Sequence, residues 1–242
     1  MKQNEHPLKA YYAGIHERYD RVNHIFTFGR DVVWRRKAAA ECLKGRPSRI
    51  LDLCTGTGDF LLELARQADY PVSLTGYDFS DSMLGEARRK CRALEERTRV
   101  RHLELVEGDA ARMPFPDASF DAIGITFGIR NLVYENPRYL VHLSEMHRVL
   151  KPGGQLVILE SSRPSSIAWR WINSLYLRLI LPYLGGLISG NLKAYRYLSE
   201  SSLKYHTMDQ MGTILEDSGF SVLGREPLFL GSVMLLKAEK RE

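Results

Sequence analysis

Cysteine is scarce in this chain of 242 residues, and the three present, Cys42, Cys54 and Cys91, are spaced too widely for a disulfide framework or a CxxC metal site. A reducing cytosol is therefore the expected compartment. Long uninterrupted apolar runs are also missing. The most apolar stretch, Ile167 to Ile188, contains Arg170, Arg178, Pro182, Gly185 and Gly186, whereas a spanning helix wants about 20 mostly apolar residues. Residues 1–7 have no apolar core of signal-peptide length, so nothing there directs export. His142 and His147 are five apart, off the i, i+4 spacing that puts two ligands on one helix face, and no metal site is expected. Nor is basic charge gathered into a nucleic-acid surface. Net charge is +5 and the pI about 9.1, but the short clusters Arg35-Arg36-Lys37 and Arg88-Arg89-Lys90 read as solvated helix faces.

What is present is an alternation. With 44% hydrophobic and 26% charged residues the chain can bury one sizeable core, and strand-length apolar runs recur between amphipathic helical stretches. That is the pattern of an α/β fold with a mainly parallel sheet flanked by helices. Strands are predicted at Arg49–Cys54, Val72–Tyr77, Val100–Val106, Phe120–Thr126 and Gln155–Leu159, with two strand-like runs near the end, Phe220–Leu223 and Ser232–Leu236. Helices are predicted at Asp59–Gln67, from an N-cap at Ser80 to about Leu94, from about Asn136 to Leu150, and at Met208–Ser218. Lys151-Pro152-Gly153-Gly154 is a helix-to-strand breaker. Residues 1–44 are expected to form a helical cap anchored by Tyr11, Tyr12, Tyr19 and Phe26, and 161–203 a helical lid inserted into a single domain spanning 1–242.

The most informative string is Arg49-Ile50-Leu51-Asp52-Leu53-Cys54-Thr55-Gly56-Thr57-Gly58, followed by Gly76-Tyr77-Asp78. An apolar strand that ends in a glycine turn and reopens as a helix brings a nucleotide against bare backbone, because Gly56 and Gly58 carry no Cβ. Two cofactors use that turn. A dinucleotide site wants a third glycine for close helix packing, and Leu61 stands there instead. Asp78 ends the second strand, where a carboxylate can accept from both hydroxyls of an adenosine ribose; Asp109 ends the third, at the level of an adenine amine. The balance favours S-adenosylmethionine.

The order of Leu51–Gly58, Asp78, Gly108-Asp109-Ala110 and Leu150-Lys151-Pro152-Gly153-Gly154 resembles class I S-adenosylmethionine-dependent methyltransferases, whose Rossmann-like fold has a seven-stranded sheet. Narrower strings, Arg18-Tyr19-Asp20-Arg21-Val22-Asn23, Met113–Asp121, Thr126-Phe127-Gly128-Ile129-Arg130-Asn131 and Ala194–Ser201, resemble the ubiquinone/menaquinone biosynthesis C-methyltransferases, the UbiE/MenG group. The resemblance implies cofactor contacts at Thr57, Asp78, Asp109, Ala110 and Thr126, beside Asp52, Gly56 and Gly58 of the turn. It departs from the group at Cys54, commonly alanine there, at Thr126, often serine, and at Leu230–Leu236, which lacks the group's paired glycines and histidine.

The implied reaction moves a methyl from S-adenosylmethionine to a ring carbon of a reduced, prenylated quinone precursor, naphthoquinol or benzoquinol. Arg130, which stays charged, is the expected stabiliser of a phenolate, Asn131 the residue that orients the ring hydroxyl or a water that removes its proton, and Tyr195 a contact to the quinol. Trp169, Trp171, Leu175, Leu177, Leu181 and Tyr183 are expected to form an apolar channel or interfacial face for the prenyl tail, with Arg170 and Arg178 near lipid headgroups. The expected partners are thus a prenylated quinol and the inner face of a membrane, with a homodimer left open. Methylation of another small acceptor and a non-catalytic cofactor-binding scaffold are the alternatives.

Overall fold

The computed structural model describes residues 24–92 and 98–241. The Arg18–Asn23 string, the anchors Tyr11, Tyr12 and Tyr19, and the predicted helix end at Leu94 lie outside them.

Helix α1 (Arg30–Cys42) buries Trp34, Ala38, Ala39 and Cys42, an i, i+4, i+5, i+8 stripe that lays it on the sheet. The core alternation follows: β1 (Arg49–Leu53), α2 (Asp59–Gln67), β2 (Val72–Asp78), α3 (Asp81–Cys91), β3 (Val100–Glu107) and β4 (Phe120–Thr126). Next come α4 (Ile129–Val133), α5 (Tyr139–Val149) and β5 (Leu150–Ser161), then three helices, α6 (Ile167–Leu179), α7 (Leu181–Ser189) and α8 (Leu192–Lys204). The chain closes with α9 (Met208–Asp217), β6 (Phe220–Leu228) and β7 (Val233–Lys240).

The seven strands run in the order β3-β2-β1-β4-β5-β7-β6. All pairings from β3 to β5 are parallel, while β7 is antiparallel to both its neighbours. The chain direction across the sheet reverses between β1 and β4, and a crevice opens at such a point outside the strand carboxyl ends. Both faces are covered. Leu51 and Leu53 pack with Ile123, Ile158 and Met234 on one side, and Ile50 packs with Trp34, Leu61 and Leu235 on the other. Apolar residues on both faces explain why the central strands read as continuous apolar runs.

The larger differences from the boundaries read in the sequence lie in the second half of the chain. β5 begins at Leu150, because Phe120 pairs with Leu150 while Ala122 already pairs with Gln155; residues 151–154 form a bulge, with Gly153 at φ 69°. β6 and β7 run on to Leu228 and Lys240 as one antiparallel ladder. Their outer halves, Gly224–Leu228 and Lys237–Lys240, are mostly charged residues, glycine and proline, which hid their length. A short helix, α4, follows β4 where a loop was expected, and α5 starts at Tyr139 rather than Asn136.

Helices α6 to α8 form a cover with its own small core, Leu181, Ala194 and Tyr195 backed by Phe26, Leu177 and Leu198. Three ties fix it. The Trp169 indole N–H donates to Ser232 Oγ at 2.8 Å while its ring meets Phe229 edge-on. Tyr176 Oη donates to the Phe26 carbonyl. Arg130 reaches α8 from the sheet side.

Candidate active site

The glycine turn is built from three residues in the left-handed region, Cys54 (φ 58°), Gly56 (φ 55°) and Gly58 (φ 84°). A Cβ on Gly56 would meet no atom within 4 Å, so the space above the turn is open. Gly58 caps α2, and a Cβ there would stand 3.0 Å from the Ala87 Cβ of α3. Cys54 holds a conformation costing an L-residue about 1–2 kcal/mol. Gly128 makes room for it: a Cβ on Gly128 would lie 2.5 Å from the Cys54 Cβ. Leu61 occupies the place of a third glycine, and the closeness of α2 to the sheet comes from the strand instead. A Cβ on Gly76 would lie 2.6 Å from Leu105 Cδ2 and 3.1 Å from Leu61 Cδ2.

Two acids are locked to this turn. Asp78 Oδ2 accepts from the Gly56 amide and Oδ1 from the Ser80 amide, each at 2.9 Å. Asp52 accepts from Thr55 Oγ1 at 2.6 Å. Burial pushes the Asp52 carboxyl up to about 7, against the Thr55 hydrogen bond, and the nearby Asp78 charge adds to the rise. Burial likewise raises Asp78 to about 6, against the backbone donors of Gly56, Ser80 and Phe79. Thr57 is buried in the same turn.

Asp109 and Ala110 stand beyond the end of β3. Asp109 is tied down at both oxygens, accepting from the Ala111 amide and from Arg138 Nη1 at 2.9 Å each. Burial pulls its carboxyl upward, but the Ala111 amide and Arg138 outweigh it and hold the group below its ordinary value. Thr126 is the last, half-buried residue of β4, and Phe127 turns the chain at φ 55° with its amide donating to the Leu159 carbonyl. The turn, Asp78, Asp109, Ala110 and Thr126 therefore lie at the carboxyl ends of four neighbouring strands.

Arg130, on α4, is only 4% exposed. Its Nη1 donates to the Leu198 carbonyl (3.2 Å), Ser201 Oγ (2.7 Å) and Ser202 Oγ (2.9 Å), and its Nε lies 3.8 Å from Oε1 of the fully buried Glu160. Nε has no hydrogen-bond partner among the described residues. Asn131 is half-buried beside it. Tyr195, expected at the quinol, is packed inside the cover at 1% exposure, its ring 6.2 Å from Phe26 and pressed on Gly185. Trp169, Leu177 and Leu181 also turn inward, whereas Trp171, Leu175 and Tyr183 face outward. His142 Nδ1 bonds the Leu132 carbonyl, and His147 stacks edge-on to Phe220. No cluster of three or more potential metal ligands occurs among the described residues.

Arg35, expected on a solvated helix face, is buried instead; Glu160 was not singled out in the sequence, and Gly76 and Gly128 stood there only as members of longer strings. Glu160 carried a signal, an acid closing the apolar strand Gln155–Leu159; the two glycines carried none, since only the packing reveals what a Cβ would strike.

An adenosyl sulfonium fits this arrangement. The open turn accepts backbone approach, Asp78 and Asp109 offer acceptors at successive strand ends, and the buried acids suit a cationic ligand.

Comparison with known proteins agrees. The model of the ubiE/COQ5 methyltransferase family matches residues 1–240. A demethylmenaquinone methyltransferase of Thermus thermophilus is 43% identical over 212 residues, covering 87% of this chain and 91% of that protein. One from Deinococcus radiodurans is 44% identical over 213 residues, covering 88% and 84%. The crystal structure of a SAM-dependent methyltransferase from Methanosarcina mazei superposes with a TM-score of 0.57 at 20% identity, over 84% of this chain and 96% of that one. This last likeness concerns the fold alone. The chain belongs to the ubiE/COQ5 methyltransferase family.

Proposed function

We propose that the chain methylates a ring carbon of a reduced, prenylated quinone, a demethylmenaquinol or its benzoquinol counterpart, using S-adenosylmethionine. The family match along almost the whole chain carries this reading, and relatives named demethylmenaquinone methyltransferase support the acceptor class. S-adenosylmethionine supplies the electrophilic methyl. Thr57, Asp78, Asp109, Ala110 and Thr126 hold its adenosine half, and Asp52, under the turn, faces its cationic end.

A ring carbon attacks only when the hydroxyl beside it has lost its proton, so the protein must favour the phenolate and hold it in line. Alignment can contribute ~7–11 kcal/mol in favourable cases. Arg130 serves the first task through its permanent charge, held in place by Glu160 and the α8 hydroxyls of Ser201 and Ser202. Asn131 orients the hydroxyl. Tyr195 serves by holding α7 against α8, since its ring is spent on Gly185 and Phe26.

The acceptor's tail explains the outer face of the cover. Ile167–Ile188 is long and apolar, and little of it is buried. The stretch breaks at Ile180, before Pro182, into two helices. Trp171 is 75% and Leu187 81% exposed, beside Ile172, Leu175, Leu179 and Tyr183. Residues 161–199 contain Arg163, Arg170, Arg178, Lys193 and Arg196 and no Asp or Glu, a charge equal to the net +5 of the whole chain. Exposed apolar side chains set among cations suit an anionic lipid surface, where the face would lie in the interface rather than span it.

The test is the purified protein with methyl-labelled S-adenosylmethionine and a reduced prenyl-naphthoquinone or prenyl-benzoquinone. Label on the ring carbon is expected; label only on oxygen or on another acceptor would overturn the reading.

A further inference from the structure

Arg35 is a buried guanidinium at the same edge of the sheet, with 8% exposure. It lies in the second turn of α1. Its Nη1 donates to Asp31 Oδ2 at 2.5 Å, and its Cζ lies 5.3 Å from the ring centroid of Phe127, the residue that follows Thr126. Asp31 is separately held by Thr27 Oγ1 and His24 Nδ1, both at 2.7 Å. The guanidinium is thus fixed on one edge by an acid and on one face by an aromatic ring. That arrangement sets the plane of the fork and leaves the Nε–Nη2 edge for a planar anion. Its charge reaches Asp52, whose carboxyl it helps to hold down.

The charge pattern says which anion. Asp52, Asp78 and Glu160 make the floor around the turn acidic, which suits the sulfonium and α-ammonium of the cofactor but repels its α-carboxylate. Arg130, the other buried guanidinium there, spends its Nη1 on α8 and is paired with Glu160. Among the described residues Arg35 is the buried cation that remains. We infer that Arg35 anchors the α-carboxylate of the cofactor's amino-acid end, held for that task by Asp31 and Phe127. Asp52 and Arg35 then present opposite charges to the two ends of one zwitterion. The inference rests on the S-adenosylmethionine reading above and adds the residue that reads the methionyl half.

The test uses binding alone, by calorimetry on the apo protein. The ligands are S-adenosylhomocysteine, its decarboxylated analogue, and 5′-methylthioadenosine, which lacks the amino-acid end entirely. In the wild type, decarboxylation should weaken binding roughly tenfold or more, the scale of a charge-assisted pair. In Arg35→Met, S-adenosylhomocysteine should weaken by the same factor, its advantage over the decarboxylated analogue should vanish, and 5′-methylthioadenosine should change less than about twofold. Arg35→Lys should recover part of the loss. The inference is overturned if decarboxylation costs nothing in the wild type, which can be measured whether or not a variant folds. It is equally overturned if the advantage persists in Arg35→Met, or if all three ligands weaken together, the signature of a merely structural ion pair with Asp31. Failure of the wild type to bind any of the three would instead refute the cofactor reading.

Discussion

Arg130 Nη1 and Ser201 Oγ, separated by 71 positions in the chain, lie 2.7 Å apart. Through this contact the segment that leaves β4 is tied to the last turns of the helical cover, with Glu160 behind it. Cover and site are one mechanical unit.

Removing Arg130 should therefore do two things. Arg130→Ala is expected to lower turnover by about a hundredfold or more, the scale of losing a group that stabilises developing charge, with S-adenosylhomocysteine affinity changed less than about twofold. It should also cost about 3–5 kcal/mol, because Glu160 is left buried without its cation. Denaturant unfolding and calorimetry separate the two effects. The double variant Ser201→Ala/Ser202→Ala keeps the pair with Glu160 and should chiefly raise the KM for the quinol. Equal losses of turnover and cofactor affinity in Arg130→Ala would contradict the assigned role.

The raised carboxyls of Asp52 and Asp78 give a pH dependence of known sign. A carboxyl whose pKa is higher folded than unfolded contributes stability below the unfolded value, near 3.8, and loses it as pH rises through the folded value, about 7 for Asp52 and about 6 for Asp78. The apo protein thus carries two costly buried charges at pH 8. Asp52→Asn should become more stable relative to wild type as pH rises from 5 to 8, by about 1 kcal/mol or more. Urea unfolding of both proteins at the two pH values measures it; a difference independent of pH would contradict the assignment.

Much of this architecture was legible in the sequence, and what was not has a physical reason. The strands from β1 to β5 showed as apolar runs because both sheet faces are covered, and the turn showed because glycine is what the left-handed region favours. Gly76 and Gly128 did not, since a glycine inside or just after a strand announces nothing until its neighbours are known. Arg35 read as part of a solvated cluster, yet Arg35 is buried while Arg36 and Lys37 of the same cluster face solvent. Helical phase, not composition, decides which of three adjacent cations turns inward.

Gly128 offers a direct check on the turn. Gly128→Ala places a Cβ 2.5 Å from the Cys54 Cβ and should cost about 1–3 kcal/mol by overpacking. In a Cys54→Gly background most of that cost should disappear, since the struck side chain is gone. A double-mutant cycle by denaturant unfolding reads the coupling; additive losses would show that the two residues do not share the constraint.

The exposed face of α6 and α7 predicts binding to anionic vesicles. Wild-type protein should float with liposomes containing phosphatidylglycerol, less so at high salt, and Trp171→Ser/Leu175→Ser should lower the bound fraction severalfold. That variant should still methylate a short-tailed, water-soluble quinol. Absence of wild-type flotation, with and without S-adenosylhomocysteine, would remove the lipid surface from the account.

The fate of the methyl group distinguishes ring methylation from its alternatives most directly. Purified protein, methyl-labelled S-adenosylmethionine and a demethylated prenyl-quinone should be combined under reducing and oxidising conditions, and the quinone analysed by mass spectrometry and NMR. One label per molecule is expected on a ring carbon, formed only from the reduced acceptor and about a hundredfold or more slower in Arg130→Ala. Label on oxygen, equal labelling of the oxidised quinone, or S-adenosylmethionine bound yet never consumed would contradict it.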